Sequence, residues 1–114
     1  MRTDPTETNP ELYRVVMEND RVRVLEYRDQ PGDRTEPHAH PDSVMITASS
    51  FRRRITSGDA SADVQLAAGS VRWLDAQEHA GENVGDTETM VYFVELKEPA
   101  PHPGEARTVG PSER

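Results

Sequence analysis

The stretch EPHAHPDS, residues 36–43, places two histidines one residue apart between two prolines. The chain has 4 histidines among 114 residues, so this short stretch holds half of them. In an extended strand, side chains two residues apart point to the same face of the sheet. His38 and His40 are therefore expected to project together, close enough for both imidazoles to bind one metal ion. On these residues alone, the alternative is a pair of surface histidines on an edge loop.

Outside this stretch, the composition indicates one small acidic domain. The chain has 21 acidic and 13 basic residues, a formal net charge of -8 at pH 7, and 33% hydrophobic residues. An acidic surface favours solubility and argues against nucleic acid as the partner. The chain has no cysteine, which excludes disulfides and thiolate metal ligands. Any metal site must therefore use histidine, carboxylate, carbonyl or water ligands.

The two ends of the chain differ from its centre. Residues 1–10 are polar and are expected to form a flexible leader, residues 11–98 the folded domain, and the proline-rich residues 99–114 a flexible tail. His102 falls in this tail and is expected to be solvated. The sequence has no apolar run of membrane-spanning length, which argues against a membrane partner. MRTDPTETNP at the N-terminus lacks the apolar core of a signal peptide, which predicts a cytoplasmic protein.

Between the two ends, short strand-like runs alternate with turns. LYRVVMEND and TMVYFVEL are rich in β-branched and aromatic residues, and DQPGD and SGDAS have turn composition. The pattern predicts roughly seven to nine short strands and no convincing helix. It favours an all-β sandwich or barrel.

Two longer patterns include the histidine pair. Gly32 precedes His38 with five residues between them, which gives G-x5-H-x-H, and HAGEN places Asn83 after His79 in the pattern H-x3-N. These patterns match the two halves of the cupin motifs, so the chain resembles the cupin superfamily over about residues 12–97. It is most similar to the small single-domain cytoplasmic cupins that occur among relatives of β-alanine degradation proteins. This closer resemblance rests on four stretches of the sequence: PHAHPDSV, SSFRRR, VRWLDAQEH and GENVGDT.

The resemblance implies a cupin jelly-roll β-barrel, also called a double-stranded β-helix, with a metal ion inside. His38, His40 and His79 would be the metal ligands. Neutral imidazoles suit a divalent transition metal such as Fe(II), Zn(II), Ni(II), Mn(II) or Cu(II). Cupin relatives commonly form dimers, so a homodimer is expected, with edge pairing through LYRVV.

The sequence departs from the cupin pattern at the usual glutamate, which falls at Val44 or Met45. Neither residue is a good ligand for a hard divalent ion, so the ion would keep its full charge and favour an anionic substrate or hydroxide. Met45 is either a core residue or a thioether ligand. Asp42 and Glu36 flank the histidine pair, and each either orients a ligand ring or is a solvated loop acid.

Three further residues are candidates for substrate binding. Gln77 precedes His79 by two residues, and it is either a hydrogen-bond donor in the pocket or part of a turn. Arg53 lies in FRRRI on the same strand face as two apolar residues, so its guanidinium is expected to be buried and to pair with a structural carboxylate or with the substrate. Tyr27 is either core or a substrate contact. Asn83 is expected to be structural, with its amide tying the strand end or turn.

The functional hypothesis is a metalloenzyme, oxygenase-like or hydrolase- or lyase-like, that acts on a small carboxylate or dicarbonyl compound at a three-histidine site. Two alternatives remain open at this point. One is a non-catalytic module that binds or senses a small ligand through its metal, and the other is a structural cupin with a vestigial site. The sequence contains no nucleotide-binding glycine motif and no G-x-S-x-G nucleophile motif.

Overall fold

The computed structural model describes residues 3–99, 106 and 108–112. These residues form nine antiparallel strands and one short helical turn, which confirms the predicted all-β class. In chain order the elements are α1 (Pro5–Thr8), β1 (Tyr13–Glu18), β2 (Val22–Asp29), β3 (His38–His40), β4 (Ser43–Thr47), β5 (Phe51–Ser57), β6 (Ala60–Leu66), β7 (Val71–Leu74), β8 (Gln77–Asn83) and β9 (Thr89–Leu96). Nothing in this part of the chain forms a helix of the length and apolar character that a membrane span requires.

The strands form two sheets with a shared core. The five-stranded sheet has the order β1-β2-β9-β4-β7, and the four-stranded sheet has the order β3-β8-β5-β6. In β9 every second side chain is buried, because successive side chains of a strand point to opposite faces. The buried hydrophobic cluster takes residues from both sheets: Tyr13, Leu25, Tyr27, Met45, Phe51, Leu74, Val91 and Phe93.

The four-stranded sheet brings the histidines together. β3 pairs with β8 in a register that sets His38 opposite His79 and His40 opposite Gln77. Because neighbouring strands lie only about 5 Å apart, residues that are distant in sequence become direct neighbours here. On β5, Phe51, Arg53 and Ile55 are buried, which confirms the predicted inward face of FRRRI.

Parts of the predicted leader and tail lie against this domain. Pro5 and Asn9 are buried, and the Thr3 carbonyl accepts a hydrogen bond of 2.7 Å from the Ala39 N–H. Near the other end, Trp73 and Ser112 exchange two main-chain hydrogen bonds of 3.0 and 2.7 Å. The predicted mobility of the two ends stays a prediction, and His102 lies outside the described residues.

Candidate metal centre

Three buried histidines converge at the centre of the domain. Their ring centroids lie 4.9 Å apart for His38 and His40, 5.0 Å for His38 and His79, and 5.3 Å for His40 and His79. Each ring offers one nitrogen to a common point, and these three atoms all lie within 4.8 Å of one another. The structure therefore brings together the three residues that the resemblance implied as ligands.

The outer nitrogens of two rings have acceptor-only partners. The Nδ1 of His38 lies 2.8 Å from the Glu36 carbonyl oxygen, and the Nδ1 of His40 lies 3.0 Å from a carboxylate oxygen of Glu95. A carbonyl or carboxylate oxygen only accepts, so each Nδ1 must carry a proton and donate it. In a neutral imidazole the lone pair is then on Nε2, which faces the centre.

The same assignment holds for His79 because the orientation of the Gln77 amide is fixed. Gln77 Oε1 accepts a 2.7 Å hydrogen bond from the Gly110 N–H, and Nε2 donates to the carbonyls of Asp75 and Thr108 at 3.0 and 3.1 Å. The atom that lies 2.8 Å from His79 Nδ1 is therefore the oxygen, an acceptor. His79 must also donate from Nδ1 and keep its lone pair on Nε2.

The donor set fits a transition-metal ion. Among the side-chain nitrogen and oxygen atoms of the described residues, His40 Nε2 is buried without any hydrogen-bond partner. A buried polar atom without a partner is costly, and a cation held between the three rings would give His40 Nε2 a partner. Hydrogen bonds from the other ring nitrogen to carbonyl, carboxylate or amide oxygens are the usual support for metal-binding histidines.

Electrostatics keeps two of these rings in the metal-binding form. Burial, together with the nearby His40 ring, lowers the pKa of His38 to about 4. Burial and the rings of His40 and His38 also hold the pKa of His79 well below its usual value. Both side chains are therefore neutral near pH 7, as metal ligation requires.

Sequence reasoning missed two aromatic residues at the centre. The Tyr13 hydroxyl lies 3.3 Å from His38 Nε2, and the Phe93 ring stacks on His40 with a centroid distance of 4.7 Å. Burial raises the pKa of Tyr13 far above neutrality, so its hydroxyl stays protonated and can donate. Phe93 restricts the His40 ring from one side. Neither contact has a local sequence signal, because β1 and β9 meet β3 only in the folded chain.

Sequence reasoning also missed Glu95, the buried carboxylate that holds His40. Its second oxygen accepts from the Arg23 guanidinium at 2.7–2.8 Å, and Arg23 in turn pairs with Asp4 at 2.9 Å. Burial by itself would lower the pKa of Arg23, but the Glu95 and Asp4 carboxylates outweigh it and raise that pKa. Arg23 therefore stays charged and balances Glu95, so the carboxylate remains an acceptor for His40.

Glu95→Gln is expected to weaken binding of Zn(II) by about 10- to 100-fold, the usual cost of losing such a supporting partner. The amide is a poorer acceptor for His40 Nδ1–H and leaves Arg23 without its charge partner. Calorimetric titration of metal-free protein measures this change. Glu26→Gln is the matched control, because Glu26 pairs with the exposed Arg14 and the Tyr92 hydroxyl instead. Equal affinities for Glu95→Gln and the wild type would contradict a supporting role for Glu95.

Two of the three predicted substrate-binding residues belong to a buried network beside the histidines. Arg53 donates to Asp29 at 2.6 Å, to Thr89 at 3.3 Å and to the Tyr27 hydroxyl at 3.1 Å. Tyr27 in turn donates to Asp29. Asn83 also donates to Asp29, at 3.1 Å, and to the Thr87 carbonyl, which confirms its structural role. Of the two partners predicted for Arg53, the structure supplies the carboxylate of the protein itself.

The residues near the missing motif glutamate have structural contacts. Met45 is buried in the hydrophobic cluster, and Val44 lies on the opposite face of β4. The Asp42 carboxylate accepts from the Ala76 N–H at 2.9 Å, so it supports the turn before β8 and not a histidine. At Glu36 the main-chain carbonyl orients His38, and the side chain is exposed.

A cavity of about 40 Å³ adjoins the cluster. Its wall includes His38, His79, Tyr13, Arg53 and Pro111, with most of the remainder apolar. This volume is larger than the minimum of about 10–15 Å³ that one buried water needs. The centre therefore has space for a very small ligand beside the histidines.

Solved structures share this architecture. A cupin-domain protein from Bordetella pertussis is 30% identical, with a TM-score of 0.70 over 75% of this chain and 92% of its own. A double-stranded β-helix protein from Klebsiella pneumoniae is 22% identical, with a TM-score of 0.61 over 90% of this chain and 84% of its own. A Cupin 2 conserved-barrel protein from Salinispora arenicola is 20% identical, with a TM-score of 0.58 over 86% and 82%.

No protein-family model matches the sequence, and no curated protein matches it either. The second and third structures establish the fold alone, because their sequence identity to this chain is low. The Bordetella pertussis protein adds 30% identity across nearly its whole length. Together with the two histidine motifs and the two-sheet topology that joins them, this similarity shows that the chain belongs to the cupins.

Proposed function

We propose that this cupin binds one divalent transition-metal ion per chain through Nε2 of His38, His40 and His79. The single observation that supports this most strongly is the convergence of three ring nitrogens, one of which is buried without a partner. Because the set has no carboxylate, Fe(II), Zn(II), Ni(II), Mn(II) and Cu(II) all remain candidates. Three protein ligands leave at least one coordination position open.

We further propose that the open position takes an oxygen atom of a small carboxylate or dicarbonyl compound. When bound, the ion polarises such an oxygen or activates a water molecule. Tyr13 supplies a protonated hydroxyl at the same place, and it can donate to a bound oxygen once His38 Nε2 is occupied. Arg53 and Tyr27 line the cavity, and they contribute a polar wall whose charge Asp29 already balances.

Two functional classes fit this site. A metalloenzyme, oxygenase-like or hydrolase- or lyase-like, is the first. Among the described residues, the cavity wall contains no carboxylate, and a buried tyrosine with a raised pKa is a poor base. This observation favours the second class, a metal-dependent module that binds or senses a small ligand without converting it. In the first class, proton transfer would have to rely on metal-bound hydroxide.

The experiment that separates the classes uses protein purified without a histidine tag. Elemental analysis identifies the metal, and the visible spectrum of Co(II)-loaded protein is followed during titration with small acids and diketones. A spectral change with turnover or oxygen consumption supports the enzyme, and a spectral change alone supports the binding module. Protein that takes up no metal under any condition would contradict the whole proposal.

We also propose that the chain forms a homodimer through the β1 edge. β1 is an outer strand of the five-stranded sheet, and Val15, Val16 and Met17 on it are 41–47% exposed. An exposed apolar edge strand is suited to pair with a second copy.

Light scattering is expected to give about twice the 12.8 kDa chain mass, and Val16→Lys is expected to give the monomer mass. Val71→Lys is the control, at an exposed valine on the opposite edge strand. A wild-type monomer at micromolar concentration would refute the dimer.

A further inference from the structure

A short segment near the C-terminus, Thr108–Ser112 (the C-terminal strap), lies beside the metal centre. Ser112 exchanges two main-chain hydrogen bonds with Trp73 on β7. Gly110 is buried, and an added Cβ there would meet the Ile55 and Val64 side chains at 3.4–3.7 Å. The strap therefore bridges from β7, in one sheet, to β5 and β6, in the other.

The strap shares one side chain with the metal centre. Gln77 Oε1 accepts both from the Gly110 N–H at 2.7 Å and from His79 Nδ1–H at 2.8 Å, and Gln77 Nε2 donates to the Thr108 carbonyl. These main-chain contacts fix the orientation of the amide. Without them the amide could turn over and present its N–H₂ to a ring nitrogen that needs an acceptor. The strap thus helps to set the tautomer of His79.

The strap also borders the cavity. Pro111 forms part of the cavity wall, together with His38 and His79. With Pro111 in place, the space beside the histidines is about 40 Å³. A ligand as small as formate needs little space, whereas a larger acid or a dicarbonyl compound needs more. Displacement of Pro111 would therefore widen the site for the larger ligands of the proposed class.

We propose that the C-terminal strap is the gate of this site. In its closed position it narrows the cavity and holds Gln77 toward His79, and in its open position it admits larger acids. This inference rests on the proposed function for the class of ligand. The strap suits this role because it is a short segment outside the named strands, whereas neighbouring strands share full hydrogen-bond ladders.

Gly110→Pro tests the gate without touching a strand. Gly110 has φ +80° and donates its N–H to Gln77, and proline permits neither because its φ is fixed near −65° and it has no N–H. Gly69→Pro is the matched control. Gly69 has φ +84° and donates its N–H to the Thr47 carbonyl at 2.8 Å, but it lies in the turn between β6 and β7. Both variants lose one main-chain donor and one left-handed glycine.

The first measurement needs no metal. Diethylpyrocarbonate modifies neutral imidazoles, and mass spectrometry reads its rate at His38, His40 and His79 separately. Gly110→Pro is expected to raise these rates by at least about tenfold over the wild type, since the open population sets the access. Gly69→Pro is expected to leave them near the wild-type rates. Equal rates in Gly110→Pro and the wild type would overturn the gate.

The second measurement titrates Co(II)-loaded protein with formate and with benzoate. Gly110→Pro is expected to tighten benzoate binding by about tenfold or more and to change formate binding little. Pro111→Ala shortens one side chain of the cavity wall but keeps the Gly110 hydrogen bond. It is also expected to tighten benzoate binding, so the gate can still be tested if Gly110→Pro folds poorly. Unchanged benzoate affinity in both variants would overturn the gate. If no variant binds Co(II) but the modification rates still separate, the proposed function fails and the gate stands.

Discussion

Protein that carries His38→Ala together with His40→Ala is expected to lose the bound metal equivalent of the wild type. Only His79 would remain of the three converging nitrogens, and one imidazole does not retain a divalent ion through dialysis. The two removed rings carry the lone pairs that the Glu36 carbonyl and the Glu95 carboxylate direct toward the centre. Elemental analysis of tag-free protein measures the metal content of both proteins.

The control for this loss is His102→Ala, which removes the fourth histidine of the chain. It is expected to keep the full metal equivalent. Circular dichroism of each variant shows whether the sheets are intact, because replacing buried rings by alanine also opens space in the core. If the folded double variant still holds one equivalent, the assignment of His38 and His40 as ligands is wrong.

Asp29→Ala is expected to lower the free energy of unfolding by about 3–5 kcal/mol, the usual cost of breaking a buried ion pair from one side. Asp29 is fully buried and lies 2.6 Å from the guanidinium of Arg53, which is itself buried. The substitution leaves Arg53 charged in the interior and also removes the acceptor for Tyr27 and Asn83. Urea unfolding measures the change. Metal-free protein is used because bound metal would itself add to the apparent stability.

Asp63→Ala is the matched control, because Asp63 also pairs with an arginine of β5, Arg54, at 3.0 Å. That pair is exposed, with side chains 51% and 63% accessible, so solvent screens it and its loss is expected to leave the unfolding midpoint nearly unchanged. If the two variants unfold at the same urea concentration, the buried network around Arg53 does not contribute as the structure indicates.

The strand pattern and the pairing of His38 with His40 were predictable because both depend on local spacing. Alternation in FRRRI placed Arg53 on an inward face, and H-x-H set two rings on one side of β3. His79 was found only through its resemblance to the second cupin motif, since nothing in its own neighbourhood marks a ligand. The helical turn at Pro5 was not predicted, although Asp4 before a proline is a recognised start signal.

The supporting residues were not predictable, because they depend on which strands become neighbours. Glu95 lies in the strong strand TMVYFVEL, where one acidic residue at the end is the ordinary sign of a solvated position. Its burial follows from the pairing of β9 with β2 and β4, which puts it beside Arg23. Asp29 and Gly110 are similar cases. Asp29 meets Arg53 because of the way the strands pair, and Gly110 meets Gln77 because of the path of the strap. Neither residue lies in a local sequence motif.

The long sequence distances within the centre also bear on how the molecule folds. Only the H-x-H pair is local; His79 joins it through β8, and Glu95 reaches His40 from 55 residues away. Closing such long loops is slow, so we expect the centre to be complete only after β8 and β9 have docked. A nascent or misfolded chain then has at most two of the three nitrogens in place. Metal uptake would therefore mark finished molecules, and by mass action the ion would stabilise them over every incomplete form.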